Sequence, residues 1–382
     1  MEIKTLGELC DIVSGGTPSR SKAEFWNEGT IPWIKIGNIK GKYVNEADEF
    51  ITQEGLAGSS AKMLAKGTVL YTIFATLGEV GILEIDACTN QAIAGLTIKD
   101  TNQLCTDYLY YYLRSKKAYV NNVGRGVAQN NINMSILKNF ELPLPELSKQ
   151  IEIVEIIDKV SKIIDARQQE LECLDDLIKA RFVEMFGDPR SNPFGFEKKM
   201  LKDTCKVITG NTPSRAIAEY YGDYIEWIKT DNIVSGILNP TQATESLSEK
   251  GMNVGRTVEK DSILMACIAG SIASIGRVCV TDRTVAFNQQ INAVVPEQYN
   301  ILFLYVLLQI SKDYLVEDIN MALKGILSKS KLEEKEFIIP PMDLQEQFAD
   351  FVYQVDKSKV AVQKALDETQ LLFDSLMQEY FG

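Results

Sequence analysis

Apolar residues recur every seven positions in two stretches of the chain. The first stretch follows Pro145, and its apolar residues lie on two neighbouring seams: Ile153, Ile157, Val160, Ile164, Leu171, Leu174 and Ile178. Displaced by 195 residues, the same register returns at Phe348, Val352, Val355, Leu366, Phe373 and Leu376. A seven-residue apolar repeat is typical of a coiled coil, so the pattern predicts two long helices.

Three charged residues interrupt these seams, namely Arg167, Arg181 and Lys359. A charged side chain at such a position either fixes the register of pairing or extends to the edge of the helix, and the pattern leaves both alternatives open. The paired acids Asp175 and Asp176 lie in the same charged helical stretch. We interpret them as part of a solvated helix face rather than as a general acid and base.

Outside these stretches the pattern changes to short runs of β-branched and aromatic residues between Gly, Asn and Ser turns. The run "GTVLYTIF" (67–74) is typical of a strand, and "LYYYL" (109–113) has helical spacing that predicts packing tyrosines. The long apolar run "SILMACIAGSIASIGRVCV" (262–280) contains an arginine and two glycines, which favours buried strand and loop over a membrane span. The pattern therefore predicts α+β globular domains.

The two halves of the chain repeat each other. The string "GTPSR" (16–20) returns as "NTPSR" (211–215), and "IPWIKIGNI" (31–39) returns as "IEWIKTDNI" (225–233). A period near 195 residues is too long for a solenoid, so each copy is expected to be a domain with an appended helix. We predict globular domains at 1–145 and 189–342 and helical segments at 146–188 and 343–382.

The charge of the chain is concentrated in the helical segments. The formal net charge is −12, and each helical segment carries an excess of five acidic residues, so the globular domains are nearly neutral. Histidine is absent, which excludes every His-based triad and metal site. Seven scattered cysteines without a CxxC pair argue against zinc or a disulfide framework, and they favour a reducing cytoplasm, as does the lack of an apolar signal core at the start. We expect no intrinsic catalysis and no metal.

Candidate contacts to nucleic-acid phosphates or bases fall in three places. They are the loop residues Ser19, Arg20, Ser214 and Arg215, the polar residues after each repeated tryptophan, Lys35, Asn38, Lys229 and Asn232, and the basic stretch Arg114, Lys116, Lys117 and Arg125. Each set has an alternative: the loops are shaped by Gly and Pro, the asparagines cap turns, and the basic stretch is a solvated helix end. Trp33 and Trp227 are expected to pack in the core.

These motifs together resemble the specificity subunits of type I restriction-modification systems. The similarity is carried by "VSGGTPSR" with "WIKIGNI", by "GRGVAQNNINMSILKNFELPLPELSKQIEIV" and by the junction "FGDPRSNPFGFEKKML", and it extends over nearly the whole chain. The second copy departs from the G-x-x-Q-x-N-I pattern that Gly126, Gln129, Asn131 and Ile132 match in the first. Roles tied to that pattern therefore apply to the first copy only.

The resemblance implies two target-recognition domains, each taking one half of a bipartite DNA site, and two antiparallel helices that act as a spacer. It also implies that the chain is non-catalytic. Two methyltransferase subunits, which bind S-adenosylmethionine, would dock on the helices and methylate adenine, and motor-nuclease subunits would join for cleavage. No membrane is expected.

Two other classes of function fit the residues alone. One is a tandem carbohydrate- or peptide-binding module in which the Trp and Asn residues line a pocket. The other is a coiled-coil scaffold whose globular domains are spacers. DNA binding that weakens steeply with salt would distinguish the specificity subunit from both.

Overall fold

The structure, a computed structural model, describes residues 2–124, 131–317, 319 and 325–382. The chain forms two compact units. The first unit comprises Met1–Ala166 and Leu366–Gly382, and the second comprises Arg167–Ala365. Each unit therefore contains one globular part together with one portion of each long helix.

The first copy of the repeat contains a mixed set of short strands and helices followed by one long helix. In chain order these are β1 (Glu2–Thr5), α1 (Leu6–Leu9), β2 (Cys10–Ser14), β3 (Ile31–Ile34), β4 (Tyr43–Val44), β5 (Glu49–Ile51), α2 (Gln53–Ala57), β6 (Val69–Thr72), β7 (Val80–Leu83), β8 (Cys88–Thr89), β9 (Ile93–Ile98), α3 (Thr106–Ser115), α4 (Lys117–Gly124), α5 (Met134–Lys138), β10 (Glu141–Leu144) and α6 (Leu147–Phe186).

The second copy follows the same plan. Its elements are β11 (Glu197–Met200), β12 (Cys205–Thr209), β13 (Tyr221–Gly222), β14 (Ile225–Ile228), β15 (Ser246–Leu247), α7 (Glu249–Val254), β16 (Thr257–Val258), β17 (Ile263–Ala266), β18 (Val278–Val280), β19 (Val285–Phe287), β20 (Ile291–Pro296), α8 (Ile301–Ile310), α9 (Lys312–Val316), α10 (Lys329–Glu333), β21 (Glu336–Ile339) and α11 (Met342–Phe381). The apolar run at 262–280 forms β17, β18 and the loop between them, as predicted.

The order of the shared strands repeats between the copies, while β4 is added only in the first copy and β13 and β16 only in the second. In the first unit the strands pair in the orders β2-β9-β6-β7-β4, β5-β3-β8 and β1-β10. In the second unit the corresponding orders are β12-β20-β17-β18, β13-β15-β14-β19-β16 and β11-β21. In both copies the strand that carries the repeated tryptophan, β3 or β14, pairs in parallel with a later strand, β8 or β19. The prediction of a mixed helix and sheet fold in two similar copies is confirmed.

The tyrosine-rich helix α3 is buried in the core of the first unit. Tyr108, Tyr111 and Tyr112 are at most 1% exposed. The hydroxyl of Tyr108 donates to the Pro143 carbonyl and that of Tyr112 to the Glu141 carbonyl, both in β10. A buried phenol needs such a partner, so these tyrosines are packing residues, as their spacing predicted.

The two long helices, α6 and α11, are 40 residues each. In the first unit the early part of α6 shares a core with the end of α11: Ile153, Ile157, Val160 and Ile164 with Phe373, Met377 and Phe381. In the second unit the end of α6 shares a core with the early part of α11: Ile178, Phe182 and Phe186 with Phe348, Val352 and Val355. The remaining predicted seam residues, Leu171, Leu174, Leu366 and Leu376, are half-buried. Every predicted seam residue is thus at least partly buried.

The charged seam residues behave in two ways. Lys359 is buried to 12% side-chain exposure, its Nζ lies 2.6 Å from Asp175 Oδ1, and it donates to the Gly236 carbonyl at 2.7 Å. This geometry favours the register-fixing alternative for Lys359. Arg167 and Arg181 instead pair with acids three residues further along the same helix and stay partly exposed, which is the helix-edge alternative.

Asp175 lies on a helix face that is only partly solvated, because its side chain is 38% exposed and pairs with Lys359. The ion pair with Lys359 draws this carboxylate into a half-buried contact, whereas Asp176 is exposed, as predicted, and pairs with Lys179 on the same helix. Sequence periodicity cannot show this difference, because Lys359 is 184 residues away.

A buried glutamine fastens the start of each long helix. Gln150 accepts a hydrogen bond from the Cys105 amide at 2.9 Å and donates to the carbonyls of Gln103 (2.8 Å) and Pro145 (2.9 Å). Its counterpart Gln345 accepts from the Asn300 amide at 3.0 Å and donates to the Pro340 carbonyl at 2.8 Å. Both glutamines are at most 1% exposed, so they join each helix to its globular part with directed bonds.

The helices begin and end within a few residues of the predicted helical segments, but the domain limits at 145, 188 and 342 stay a prediction. Each compact unit contains a portion of both helices, so the helices do not form separate units of their own. Within the described ranges, none of the helices combines the length and the apolar character that crossing a membrane would require.

Candidate nucleic-acid interface

The repeated loops "GTPSR" and "NTPSR" begin where the backbone passes tightly over a neighbouring strand. A Cβ atom on Gly15 would lie 2.2 Å from Thr89 Oγ1, and one on Gly210 would lie 2.1 Å from the Asn288 carbonyl oxygen. Only glycine allows so close an approach, so the start of each loop is fixed by sterics. The hydroxyl of Thr17 then hydrogen-bonds to Gln91 just beyond that strand and holds the loop from its other side.

The repeated tryptophans join these loops to the strands that follow. Trp33 and Trp227 are both 3% exposed, which confirms that they pack in the core. The indole N–H of Trp33 donates to the Gly16 carbonyl at 2.9 Å, and that of Trp227 donates to the Asn211 carbonyl at 3.3 Å. Each loop is therefore fastened to the strand whose end carries the repeated lysine.

An arginine from each loop lies on an aromatic side chain. The guanidinium carbon of Arg20 is 3.6 Å from the centre of a Trp26 ring, and the Trp26 ring meets Trp33 edge-on at 5.1 Å. In the second copy the guanidinium carbon of Arg215 is 4.6 Å from the ring centre of Tyr221 and 5.2 Å from that of Trp227. Stacking on an aromatic face holds a guanidinium in a defined plane.

A glutamate joins each arginine to the repeated lysine, and we call these groups the Arg–Glu–Lys clusters. In the first cluster Glu49 Oε2 lies 2.6 Å from Arg20 Nη2, and Glu49 Oε1 lies 2.6 Å from Lys35 Nζ. The hydrogen bond from Lys35, with the charge of Arg20 added to it, holds the pKa of Glu49 below its ordinary value. The carboxylate is therefore ionised at neutral pH, and the cluster has a net charge of +1.

The second cluster repeats this arrangement atom for atom. Glu245 Oε2 lies 2.7 Å from Arg215 Nη2, and Glu245 Oε1 pairs with Lys229. The hydrogen bond from Lys229, with Arg215 as a further partner, lowers the pKa of Glu245. The two copies thus build one cationic cluster each, at equivalent positions of the fold.

The arginines keep most of their hydrogen-bond donors available. Their side chains are 53% (Arg20) and 57% (Arg215) exposed, and it is Nη2 of each guanidinium that lies against the glutamate. A guanidinium has five N–H donors, so the contact of Nη2 with the carboxylate leaves the others for a ligand. A guanidinium with free N–H groups beside an aromatic ring is suited to bind a phosphate oxygen.

The two asparagines are placed differently from the lysines. The Asn38 Oδ1 accepts from the Lys35 amide at 2.9 Å, and the Asn232 Oδ1 accepts from the Lys229 amide at 3.0 Å. The amide group of Asn232 also donates to the Gln242 carbonyl at 3.1 Å. Both side chains are buried, at 8% and 7% exposure, so the structure shows the turn-capping alternative rather than an amide presented to a base.

The basic stretch at the end of α3 contacts other parts of the first unit. Lys116 donates to the Phe381 carbonyl at 2.8 Å, where it stabilises the C-terminal end of α11, and its burial lowers its pKa. Arg114 lies 5.0 Å from the ring centre of Phe373, and Lys117 pairs with Glu79 at 2.7 Å. Arg125 lies outside the described residues. Phosphate contacts from this stretch stay a prediction.

The loop serines are exposed in both copies, as expected for loop tips. Ser19 Oγ lies 2.8 Å from Ser21 Oγ, and the Ser214 carbonyl accepts from the Ile217 amide at 3.1 Å. These contacts leave both serines beside their arginines at the surface.

Sequence reasoning missed two components of each cluster, the glutamate and the stacking aromatic residue. Both left a trace in the repeat, because Glu49 returns as Glu245 after 196 residues and Trp26 returns as Tyr221 after 195. Among the described residues no group of cysteine and acidic side chains is arranged to hold a metal ion.

Comparison with known protein families gives a match over both halves of the chain. A family model described as "Type I restriction modification DNA specificity domain" matches residues 1–174 and 193–369. A type I restriction enzyme MjaIX specificity subunit from Methanocaldococcus jannaschii is 25% identical, with 98% of this chain and 91% of the relative covered. The EcoR124I/EcoR124II specificity subunit of Escherichia coli is 27% identical over 47% of this chain and 48% of its own.

Two solved structures share the fold over the full length of this chain. A type I restriction-modification S subunit from M. genitalium has a TM-score of 0.57 and 16% identity, with 96% of that chain covered. A chain from a structure that describes complex assembly and conformational transition of the type I R-M system has a TM-score of 0.60 and 17% identity, with 97% of that chain covered. Because the family model covers most of both repeats, this chain belongs to the family of type I restriction modification DNA specificity proteins.

Proposed function

We propose that this chain gives a type I restriction-modification complex its DNA sequence specificity, with one globular part recognising each half of a bipartite site. The observation that carries this proposal is the duplicated Arg–Glu–Lys cluster, which presents one exposed, stacked arginine at the same place in each copy. Phosphate contacts set the register of a protein on DNA, while other side chains discriminate bases. Two similar domains with different loops suit two half-sites of different sequence.

The long helices are proposed to act as a spacer between the recognition domains. The early part of α6 packs with the end of α11, and the end of α6 packs with the early part of α11, which supports an antiparallel pair. A 40-residue helix is about 60 Å long at 1.5 Å per residue, which exceeds one turn of DNA. Such a spacer would hold two half-sites at a fixed gap.

The partners are proposed to be two methyltransferase subunits, which carry S-adenosylmethionine, and motor-nuclease subunits for cleavage. The acidic helices support this proposal, because their excess of negative charge would complement basic faces on partner subunits. The recognition subunit itself would then carry no catalytic residue. Relatives named as specificity subunits support this division of labour. They offer no support for a carbohydrate- or peptide-binding module or for a scaffold.

A genome-wide map of N6-methyladenine tests the proposal in a host that expresses the partner genes. The map is compared with this gene intact, deleted and restored. We expect one two-part motif with an unspecified gap to disappear on deletion and to return on restoration. If every methylated motif persists after deletion, the chain does not direct methylation.

A domain exchange then assigns the two halves of the motif. Residues 1–145 are replaced by the matching segment of a relative with a different motif, and the converse exchange of 189–342 serves as the control. Each exchange is expected to change only one half of the methylated motif. If one exchange changed both halves, the assignment of one half-site to each copy would fail.

A further inference from the structure

The glutamates of the two clusters are the least expected residues in a DNA interface. A carboxylate repels phosphate, yet each cluster places one between its two cations, and both pairs use the same atoms: Oε2 towards the arginine and Oε1 towards the lysine. The aromatic platform differs between the copies, since Trp26 stands where the second copy has Tyr221. The glutamate is thus retained where its surroundings have diverged.

We propose that Glu49 and Glu245 are positioning residues that make DNA binding selective. Each holds its arginine in place for a correctly positioned phosphate and weakens binding to DNA that lacks the matching half-site. This inference rests on the function proposed above.

The first part of the argument is geometric. Arg20 is held by a ring face and by the Glu49 carboxylate, and Lys35 is held by the other oxygen of that carboxylate. A long side chain fixed before binding loses less conformational entropy when it meets its ligand. Because the contact to Glu49 is made by Nη2, the remaining guanidinium donors are available for a phosphate.

The second part is electrostatic. Sequence-independent binding to DNA depends on the number of phosphates that cationic side chains neutralise. With Glu49 ionised the first cluster has a net charge of +1, and without that charge it would have +2. The glutamate therefore lowers the affinity for any duplex. A matched duplex regains the loss, because its phosphate reaches the positioned arginine with directed hydrogen bonds.

A purely structural account predicts a different result. Surface ion pairs contribute little to stability, and Glu49 and Glu245 are 28% and 35% exposed at the side chain. If they only joined two loops, neutralising them would change stability slightly and would weaken both kinds of DNA binding equally.

The test uses the full chain in complex with its methyltransferase subunits. Dissociation constants are measured over a range of salt concentrations for a duplex that carries the methylated motif and for one of equal length with the first half-site scrambled. The variant is Glu49→Gln. The matched control is Glu46→Gln, which makes the same charge change at an exposed residue without an ion pair among the described residues.

We expect Glu49→Gln to tighten binding to the scrambled duplex about 3- to 10-fold and to steepen its salt dependence by up to about 1 in the log–log slope. Binding to the matched duplex should change less than about 3-fold, so that discrimination falls. The Glu46→Gln control should leave discrimination unchanged. Equal changes on both duplexes, or no change on either, would overturn the inference.

Two further variants keep the test decisive. In Glu49→Gln/Arg20→Gln the gain on the scrambled duplex should disappear, because the gain is mediated by the freed arginine; a persistent gain would assign the effect to general charge. If Glu49→Gln does not assemble, Glu245→Gln is tested against a scrambled second half-site, with Asp223→Asn as its exposed control. If the wild-type complex binds both duplexes equally well, the proposed function itself is refuted. If the wild type discriminates between the duplexes and Glu49→Gln discriminates equally well, only this inference is refuted.

Discussion

The buried glutamine that fastens α6 allows a quantitative prediction. Gln150 is 0% exposed and makes three hydrogen bonds of 2.8 to 2.9 Å. Its partners are the amide of Cys105 at the start of α3 and the carbonyls of Gln103 and Pro145. Gln150→Leu retains the approximate volume of the side chain but removes all three bonds, so the effect reports the polar contacts rather than a cavity.

The expected loss of stability in Gln150→Leu follows from the backbone groups that lose their hydrogen-bond partner. Each hydrogen bond contributes about 1 kcal/mol net, and a buried amide left without a partner costs about 1 to 3 kcal/mol. Cys105 N has Gln150 as its hydrogen-bond acceptor, so this penalty applies to it. Burial of the new leucine offsets part of the total, and we expect about 3 kcal/mol, or roughly a 100-fold change in the opening equilibrium.

Hydrogen exchange followed by mass spectrometry measures this opening directly. Peptides that cover the start of α3 and of α6 should exchange about 100-fold faster in Gln150→Leu than in the wild type. Gln169→Leu makes the same chemical change at an exposed position of α6 and should have no such effect. An acceleration below about 10-fold would refute the reasoning, because it would mean that the three bonds contribute little in the folded state.

Three further predictions concern the stability of the two units. Trp33→Ala should destabilise the first unit by about 3 to 5 kcal/mol, because it leaves a cavity in the core and removes the hydrogen bond to the loop. Hydrogen exchange of the β3 amides should become faster, and exchange as slow as in the wild type would contradict this. Lys359→Met should cost the second unit about 2 kcal/mol, less than a fully buried pair, because the Asp175 side chain is 38% exposed; unchanged denaturant unfolding would count against it. Burial raises the pKa of Asp356, so its contribution to stability is present below its ordinary pKa of 3.8 and is lost as the pH rises through the raised value. Asp356→Asn should therefore raise the unfolding temperature at pH 7 and lose that advantage below about pH 4, and a pH-independent difference would rule out this cause.

Features that depend on local order or on the repeat were predictable from the sequence. The heptad seams identified α6 and α11, because a helix brings every seventh residue to one face whatever the rest of the fold does. The repeated strings identified two similar copies, because two similar sequences adopt similar folds. The burial of Trp33 followed from its apolar neighbours in a strand-like run.

The tertiary structure decided how separate segments meet. Glu49 joins Arg20 and Lys35 only because three segments of the first copy converge at one edge of a small sheet, and the spacing of 14 and 29 residues along the chain contains no such information. Lys359 meets Asp175, 184 residues earlier in the chain, because the two long helices pack together there. Periodicity determines which face of an element is buried, since that is a property of one segment. The partner of a charged side chain depends on the path of the whole chain, and only the folded structure determines it.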